Sequence, residues 1–281
     1  MLYKYITKRY QNIALVYFLL FAPGILLGQL QTGTVFSSKT NSGIAFVNIG
    51  IIGRDFGTVS DQSGKFTITL ENVYDNDSLR FSMIGYESRS VLVRQFKENP
   101  VKDVYLTPKT YYLQEVKVVY RRPRKIILGT PVYTDHPWAG FPQNDLGSEM
   151  GVKVNIRKPV KLIDLNLNVA VCTYDSVTYR LNIYQSDGQK GYKNILTEPI
   201  YISFSKDKIK NVLTFDLRKY SIIIEENALI ALELYKGLGK GELLFHATYY
   251  TDFTYHRKTS EGTWAESPGE IGMYLNGLII K

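Results

Sequence analysis

The 281 residues, 44% hydrophobic and 21% charged, hold enough apolar material for one or two ordinary cores, which excludes a long disordered chain. Its 22 glycines and 10 prolines exclude collagen-like or proline-rich low complexity, and the single cysteine, Cys172, excludes an internal disulfide framework. Lys plus Arg outnumber Asp plus Glu by 34 to 26, and the formal charge of +8 is too small over this length to mark a nucleic-acid surface.

The chain opens with Lys4, Lys8 and Arg9 inside 28 residues that contain no acid. A basic start, an apolar run over residues 13–27 broken at Pro23-Gly24, and small Gly28 before Gln29 follow the three regions of a secretory signal. Residues 1–28 are therefore expected to be removed on export, which takes three positive charges from +8 and leaves +5. The competing reading is an uncleaved anchor, but the run is about 15 residues, short of the roughly 20 needed to cross the hydrocarbon. No cysteine follows it to carry a lipid, so the mature chain is expected to be exported and not membrane-spanning.

From residue 31 onward apolar side chains recur at every second position. Phe66, Ile68 and Leu70 alternate with Lys65, Thr67 and Thr69, and Leu165, Leu167, Val169 and Val171 with Asn166, Asn168 and Ala170. Leu213, Phe215 and Leu217 repeat the pattern, which is the period of a half-buried strand. Turn-forming clusters such as Asp61-Gln62-Ser63-Gly64 and Ser186-Asp187-Gly188 return the chain about every 8 to 12 residues, and no segment reads as a helix of three turns. Val169 and Val171 flank Cys172, which is expected to be a small buried hydrophobe, with a catalytic thiol as the lesser reading. Between about Tyr120 and Gly147 the alternation lapses amid Pro131, Pro137 and Pro142. The chain is accordingly divided into a first unit at 31–119, a connection at 120–146 and a second unit at 147–281, each unit of ordinary sandwich size.

The first unit carries an ordered set of blocks: Gly33-Thr34-Val35, Gly43-Ile44-Ala45-Phe46-Val47-Asn48-Ile49, Gly57-Thr58-Val59-Ser60-Asp61, Gly64-Lys65-Phe66-Thr67-Ile68, Leu79-Arg80-Phe81-Ser82-Met83-Ile84-Gly85-Tyr86 and Leu113-Gln114-Glu115-Val116. It resembles the carboxypeptidase-like regulatory domain abundant in envelope proteins of Bacteroidetes. The resemblance implies a transthyretin-like, seven-stranded β-sandwich without catalytic residues, and a place in the periplasm or at the outer membrane. In its best-known setting the domain precedes the plug and barrel of a TonB-dependent receptor, but the roughly 160 residues after Val119 are too few for the twenty or more strands of such a barrel. Gly147-Ser148-Glu149-Met150-Gly151, Tyr179-Arg180-Leu181-Asn182-Ile183-Tyr184 and Phe215-Asp216-Leu217-Arg218-Lys219-Tyr220 resemble the second part of small Bacteroidetes proteins of this kind. The Arg-x-Asn strand and the Lys-rich loop near residues 206–210 are similar to jelly-roll carbohydrate-binding modules, an analogy of architecture that carries no activity.

Reactive chemistries find little support. None of the three histidines, His136, His246 and His256, starts a His-x-x-Glu or His-Glu-x-x-His pattern, so no zinc peptidase is expected. His246 and His256 lie ten residues apart across an expected hairpin and are read as strand-end side chains rather than ligands. Gly147-Ser148-Glu149-Met150-Gly151 has its serine one place too early for a nucleophile elbow, and Gly237-Leu238-Gly239-Lys240-Gly241 lacks the helix that gives a phosphate loop meaning. Asp135, Glu149, Glu225 and Glu226 show no spacing that pairs two carboxylates for glycoside hydrolysis. Asp75-Asn76-Asp77-Ser78 is the nearest approach to a calcium loop and reads better as a turn. Arg121-Arg122-Pro123-Arg124-Lys125 reads as a solvated linker, with anionic lipid or polysaccharide as the alternative.

The segment Asp135-His136-Pro137-Trp138-Ala139-Gly140-Phe141 sets two large aromatics in a loop context, and Tyr249, Tyr250, Phe253, Tyr255 and Trp264 follow near the C-terminus. Trp138, Phe141 and Trp264 are the candidates for stacking on a sugar ring, and their competing role is to plug the sandwich ends or pack the units together. The expected protein is thus all-β, two sandwiches with the second of jelly-roll type. No catalytic, metal or cofactor residues are assigned. Its expected partner is an envelope protein or a glycan, and no nucleic acid.

Overall fold

The computed structural model describes residues 28–110, 124–141, 145–186, 192–209, 212–249 and 252–280. Residues 1–27 of the expected signal, and Arg121 to Pro123 of the basic cluster, lie outside them. Among the described residues no helix is long and apolar enough to cross a membrane.

Among the described residues the first unit has seven strands: β1 (Gln29–Ser37), β2 (Asn48–Ile51), β3 (Gly57–Val59), β4 (Lys65–Leu70), β5 (Ser78–Ser82), β6 (Arg89–Leu92) and β7 (Val104–Leu106). They form two sheets, β4-β1-β7 and β3-β2-β5-β6. The alternation in β4 does what its period requires: Phe66, Ile68 and Leu70 are buried while Lys65, Thr67 and Thr69 face solvent. Phe66 meets Phe81 of the opposite sheet at 5.7 Å, and Phe96 from the short helix α1 (Val93–Glu98) closes the cluster at 5.7 Å from Phe81. The turn before β4 rests on Asp61, whose carboxylate accepts from the backbone N–H groups of Ser63 at 2.7 Å and Lys65 at 2.9 Å. The Ser63 hydroxyl also donates to it at 2.8 Å and is the main reason that carboxyl is held below its ordinary pKa. Gly64 completes the turn at φ +84°, where a Cβ would also sit 2.6 Å from the Val35 carbonyl.

The second unit is a larger sandwich. One sheet runs β14 (Tyr192–Asn194), β13 (Ser176–Ser186), β18 (Ala228–Glu233), β10 (Glu149–Val154), β20 (Phe253–Arg257), β21 (Ala265–Pro268), with β15 (Ile200–Ser205) also on β13. A second runs β16 (Leu213–Asp216), β11 (Val160–Leu167), β22 (Met273–Ile279), β8 (Arg124–Gly129), with β17 (Ile223–Ile224) also on β11. A third joins β12 (Val169–Cys172), β19 (Leu243–His246) and β9 (Trp138–Gly140). One core unites them, with Val152, Leu181 and Ile230 from the first sheet against Leu162, Leu165 and Leu275 from the second and Phe245 from the third. The chain crosses repeatedly between sheets, the trait that jelly-roll topologies share.

Two strands fall inside the stretch expected to be a connection. β8 pairs with β22 along six residues, and β9 pairs with β19. Strands β8 and β9 are therefore part of the second unit's sheets. Pro131 and Pro137 lie between these strands, and β9 is only three residues long, so neither strand shows a full period.

Cys172 is half-buried on β12, and burial pushes its thiol above the ordinary value, the reverse of what a nucleophilic thiolate needs. Asp75 and Asp77 of the calcium-like turn pair instead with Lys97 at 2.8 Å and Arg54 at 3.1 Å.

Glu270 ties the entry of β22 to the exit of β8 by accepting the Thr130 hydroxyl, and burial pushes its carboxyl up to about 7, with the charge of Asp252 adding to the effect. A carboxyl raised in the folded state binds a proton that the unfolded chain has released, so stability falls as pH rises between about 4.5 and 7. Glu270→Gln keeps an acceptor for Thr130 and removes the titration. Melting curves between pH 5 and 8 should show the variant gaining on the parent by about 2–4 °C toward pH 8.

Candidate functional site

Strand alternation gives β13 two faces. Val177, Tyr179, Leu181 and Ile183 enter the core, while Arg180, Asn182 and Tyr184 point from the other side and are also buried. The same outer face of the neighbouring strands carries Glu233 on β18, Glu149 on β10 and Arg257 on β20. Register sets these four side by side: Arg180 opposite Glu233, Glu233 opposite Glu149, and Glu149 opposite Arg257. The row therefore reads cation, anion, anion, cation across four adjacent strands.

Each arginine holds its own acid. Arg180 donates from Nε at 2.9 Å and from Nη2 at 2.7 Å to the two Glu233 oxygens, with both side chains essentially inaccessible to solvent. Arg257 donates from Nη2 to Glu149 at 2.5 Å and from Nε at 3.1 Å. Asn182 bridges the acids, donating to Glu233 at 2.7 Å and to Glu149 at 3.2 Å, and the Tyr184 hydroxyl donates to Glu149 at 2.9 Å. Burial pushes the Glu149 carboxyl up to about 7 while the Arg257 guanidinium pulls the other way. Burial lowers Arg180, but the charge of Glu233, its hydrogen bonds and the nearby Tyr201 and Tyr184 together outweigh it and leave the guanidinium above its ordinary value. Two acids flanked by two arginines bring no net charge into the interior, so the row avoids the cost of an unpaired buried ion.

The row also joins the two units. Arg180 uses its remaining donors on the first sandwich, with Nη1 to the Phe46 carbonyl at 2.7 Å and Nη2 to Asn48 Oδ1 at 2.7 Å. Phe46 sits at φ +59°, a left-handed conformation that costs a non-glycine residue about 1–2 kcal/mol. That conformation accompanies an exposed carbonyl for Arg180 and a ring placed 4.7 Å from Tyr235. Beyond β20, Glu261 accepts the Ser82 hydroxyl at 2.6 Å and lies 3.8 Å from Arg80, and its backbone carbonyl accepts from Gly53 at 2.8 Å. A cleft of about 490 Å³ opens along this seam, lined by Arg80, Ser82 and Lys109 from one unit and Arg180, Lys193 and Arg257 from the other.

The three sequence candidates do not converge. Trp138, 39% exposed, stacks on His136 at 4.6 Å and borders a groove of about 300 Å³ that also touches Tyr249 and Pro268. Phe141 lies flat on Tyr179 at 4.8 Å and packs against the main core. Trp264 takes the Arg257 guanidinium over its ring at 4.5 Å and stands edge-on to Tyr184 at 5.9 Å. Its indole Nε1 is buried without a hydrogen-bond partner. His246 is buried, with Nδ1 against the Thr134 carbonyl, and His256 pairs with Ser267 at 3.0 Å. Among the described residues no three His, Cys, Asp or Glu side chains gather as a metal set.

Arg180, Asn182 and Tyr184 were visible in the sequence as the polar phase of one strand. Glu149 was visible only as an unpaired carboxylate and Glu233 was not singled out, because pairing across strands far apart in sequence leaves no local pattern.

Fold and seam together define a chain of two β-sandwiches joined through a buried row of ion pairs. Residues 31–118, within the first sandwich, match the family model of the CarboxypepD_reg-like domain. No curated protein matches the chain. Among solved structures, the infectious bursal disease virus VP2 subviral particle shares 13% identity, with 90% of this chain and 64% of that chain covered at a TM-score of 0.23. The structure of infectious bursal disease virus Gt strain shares 13% identity over 92% of this chain and 69% of that chain, at a TM-score of 0.21. The chain thus spans less than two thirds of the first of these, and scores of this size carry no fold assignment.

Proposed function

We propose that this chain is a non-enzymatic, exported protein that serves as a structural or protein-interaction module of a bacterial envelope, in the periplasm or at the outer membrane. One observation carries the reading: the most deeply buried acids and arginines, Glu149, Glu233, Arg180 and Arg257, are engaged with one another and with the opposite unit. Groups committed in this way hold two sandwiches in a set relation and are not themselves free to act as base or acid in proton transfer. The matched regulatory-like domain is of non-catalytic type, which supports the same reading. The domain limits proposed are 31–119 and 147–281, with strands β8 and β9 joined to the latter.

Affinity capture from an envelope extract tests it. Envelope proteins retained by the intact protein and lost from an Arg180→Met variant support the reading. Turnover of peptide, ester or glycoside substrates by the purified protein contradicts it.

A second reading is glycan binding through aromatics of the second unit. The exposed indole of Trp138 beside the groove favours it, since sugars stack on such a face. On a glycan array, Trp138→Ala should abolish any binding of this kind and leave stability intact, because the ring is already partly in solvent. Phe141→Ala and Trp264→Ala would lower stability as well, so retained glycan binding in Trp138→Ala removes this reading.

A further inference from the structure

The seam cleft has an unbalanced mouth. Arg180 and Arg257 at its base are each matched by a buried acid, and Arg80 faces Glu261 only at 3.8 Å. Arg80 Nε is buried and has no hydrogen-bond partner. Lys109 and Lys193 line the same cleft, and neither forms an ion pair among the described residues. Burial holds the Lys109 ammonium below its ordinary value, and the charges of Lys193 and then Arg80 lower it further, against an opposing pull from Glu87. Three cations thus line one opening, two from the first sandwich and one from the second, against two acids, Glu87 and Glu261, of which Glu261 pairs with Arg80. An anion seated between the cations would offset their repulsion and add charge-assisted hydrogen bonds.

The size and the remaining walls narrow the chemistry. A space of about 490 Å³ lies in the ordinary range for small-molecule sites and exceeds what a lone inorganic ion fills. Ser88 from the first unit and exposed Tyr192 from the second place two hydroxyls and a ring around it, while Asn48 Oδ1 and both ends of the Asn194 amide are already engaged with Arg180, Asn182 and Leu196. Groups that both donate and accept on opposing walls suit a polyhydroxylated ring. We propose that this cleft is a binding site for an acidic sugar of one or two rings, its carboxylate or sulfate held by Arg80, Lys109 and Lys193. The site is separate from the Trp138 groove and does not depend on the envelope role.

Isothermal titration of the intact protein tests it with a digalacturonate and a sulfated disaccharide, against maltose, inorganic sulfate and a penta-glutamate peptide. At least one acidic disaccharide should bind about tenfold or more tightly than maltose, sulfate and the peptide, and the affinity should fall as salt is added. The carboxylated and sulfated arms identify which oxyanion is read. A Lys109→Ala/Lys193→Ala variant, altering no residue of the cores or of the ion-pair row, should lose about tenfold or more in affinity with an unchanged melting temperature. The proposal is overturned if neither acidic disaccharide exceeds maltose, if sulfate or the peptide binds as well, or if the double variant binds like the parent.

Discussion

Arg180→Met should destabilise the protein by about 3–5 kcal/mol, the usual cost of breaking a buried pair from one side. The loss has three sources. Glu233, wholly buried, loses its bidentate partner; the Phe46 carbonyl and Asn48 Oδ1 lose their donor; and the left-handed conformation at Phe46 loses the bond that accompanies it. Adding Glu233→Leu should recover part of the loss, because an apolar pair of similar volume leaves no unpaired ion. Urea unfolding of the parent, single and double variants gives the comparison. A double variant less stable than Arg180→Met by the full cost of a second lesion would show that the two residues do not act as a pair.

At the other end of the row, Arg257→Ala should cost about 3 kcal/mol or more at pH 8 and distinctly less at pH 5. Burial already lifts Glu149 to about 7 against the pull of Arg257, so without the guanidinium its carboxyl rises further. The sign follows from proton binding. An acid raised in the folded state takes up a proton as pH falls toward the unfolded value near 4.5, and each proton bound only by the folded state adds stability. The variant therefore regains stability on acidification. Trp264 loses the cation over its ring at any pH, a pH-independent part of about 0.5–2 kcal/mol. Urea midpoints at pH 5, 6.5 and 8 measure the difference, and a loss equal at all three values contradicts a charged, buried Glu149.

How far the sequence leads can be argued from these same residues. The alternation of Phe66, Ile68 and Leu70 is local, so β4 and its inward face are readable directly. The Asp61 to Gly64 turn is equally local, since one carboxylate caps two nearby N–H groups. On β13 the polar phase at Arg180, Asn182 and Tyr184 is visible, but a strand read alone does not say whether that face meets water or a second unit. The answer depends on the register of β10, β18 and β20 and on the docking of Phe46 and Asn48, all separated by long stretches of chain. The aromatics illustrate the converse. Trp138, Phe141 and Trp264 share a residue type and a loop or strand-end context, yet one is exposed, one packs on the core and one covers an arginine.

Scanning calorimetry of the protein tests the central claim, that a buried ion-pair row makes one mechanical body of two sandwiches. The parent should unfold in a single endotherm whose calorimetric and van't Hoff enthalpies agree, and Arg180→Met should resolve it into two. Two independent transitions in the parent would contradict the account.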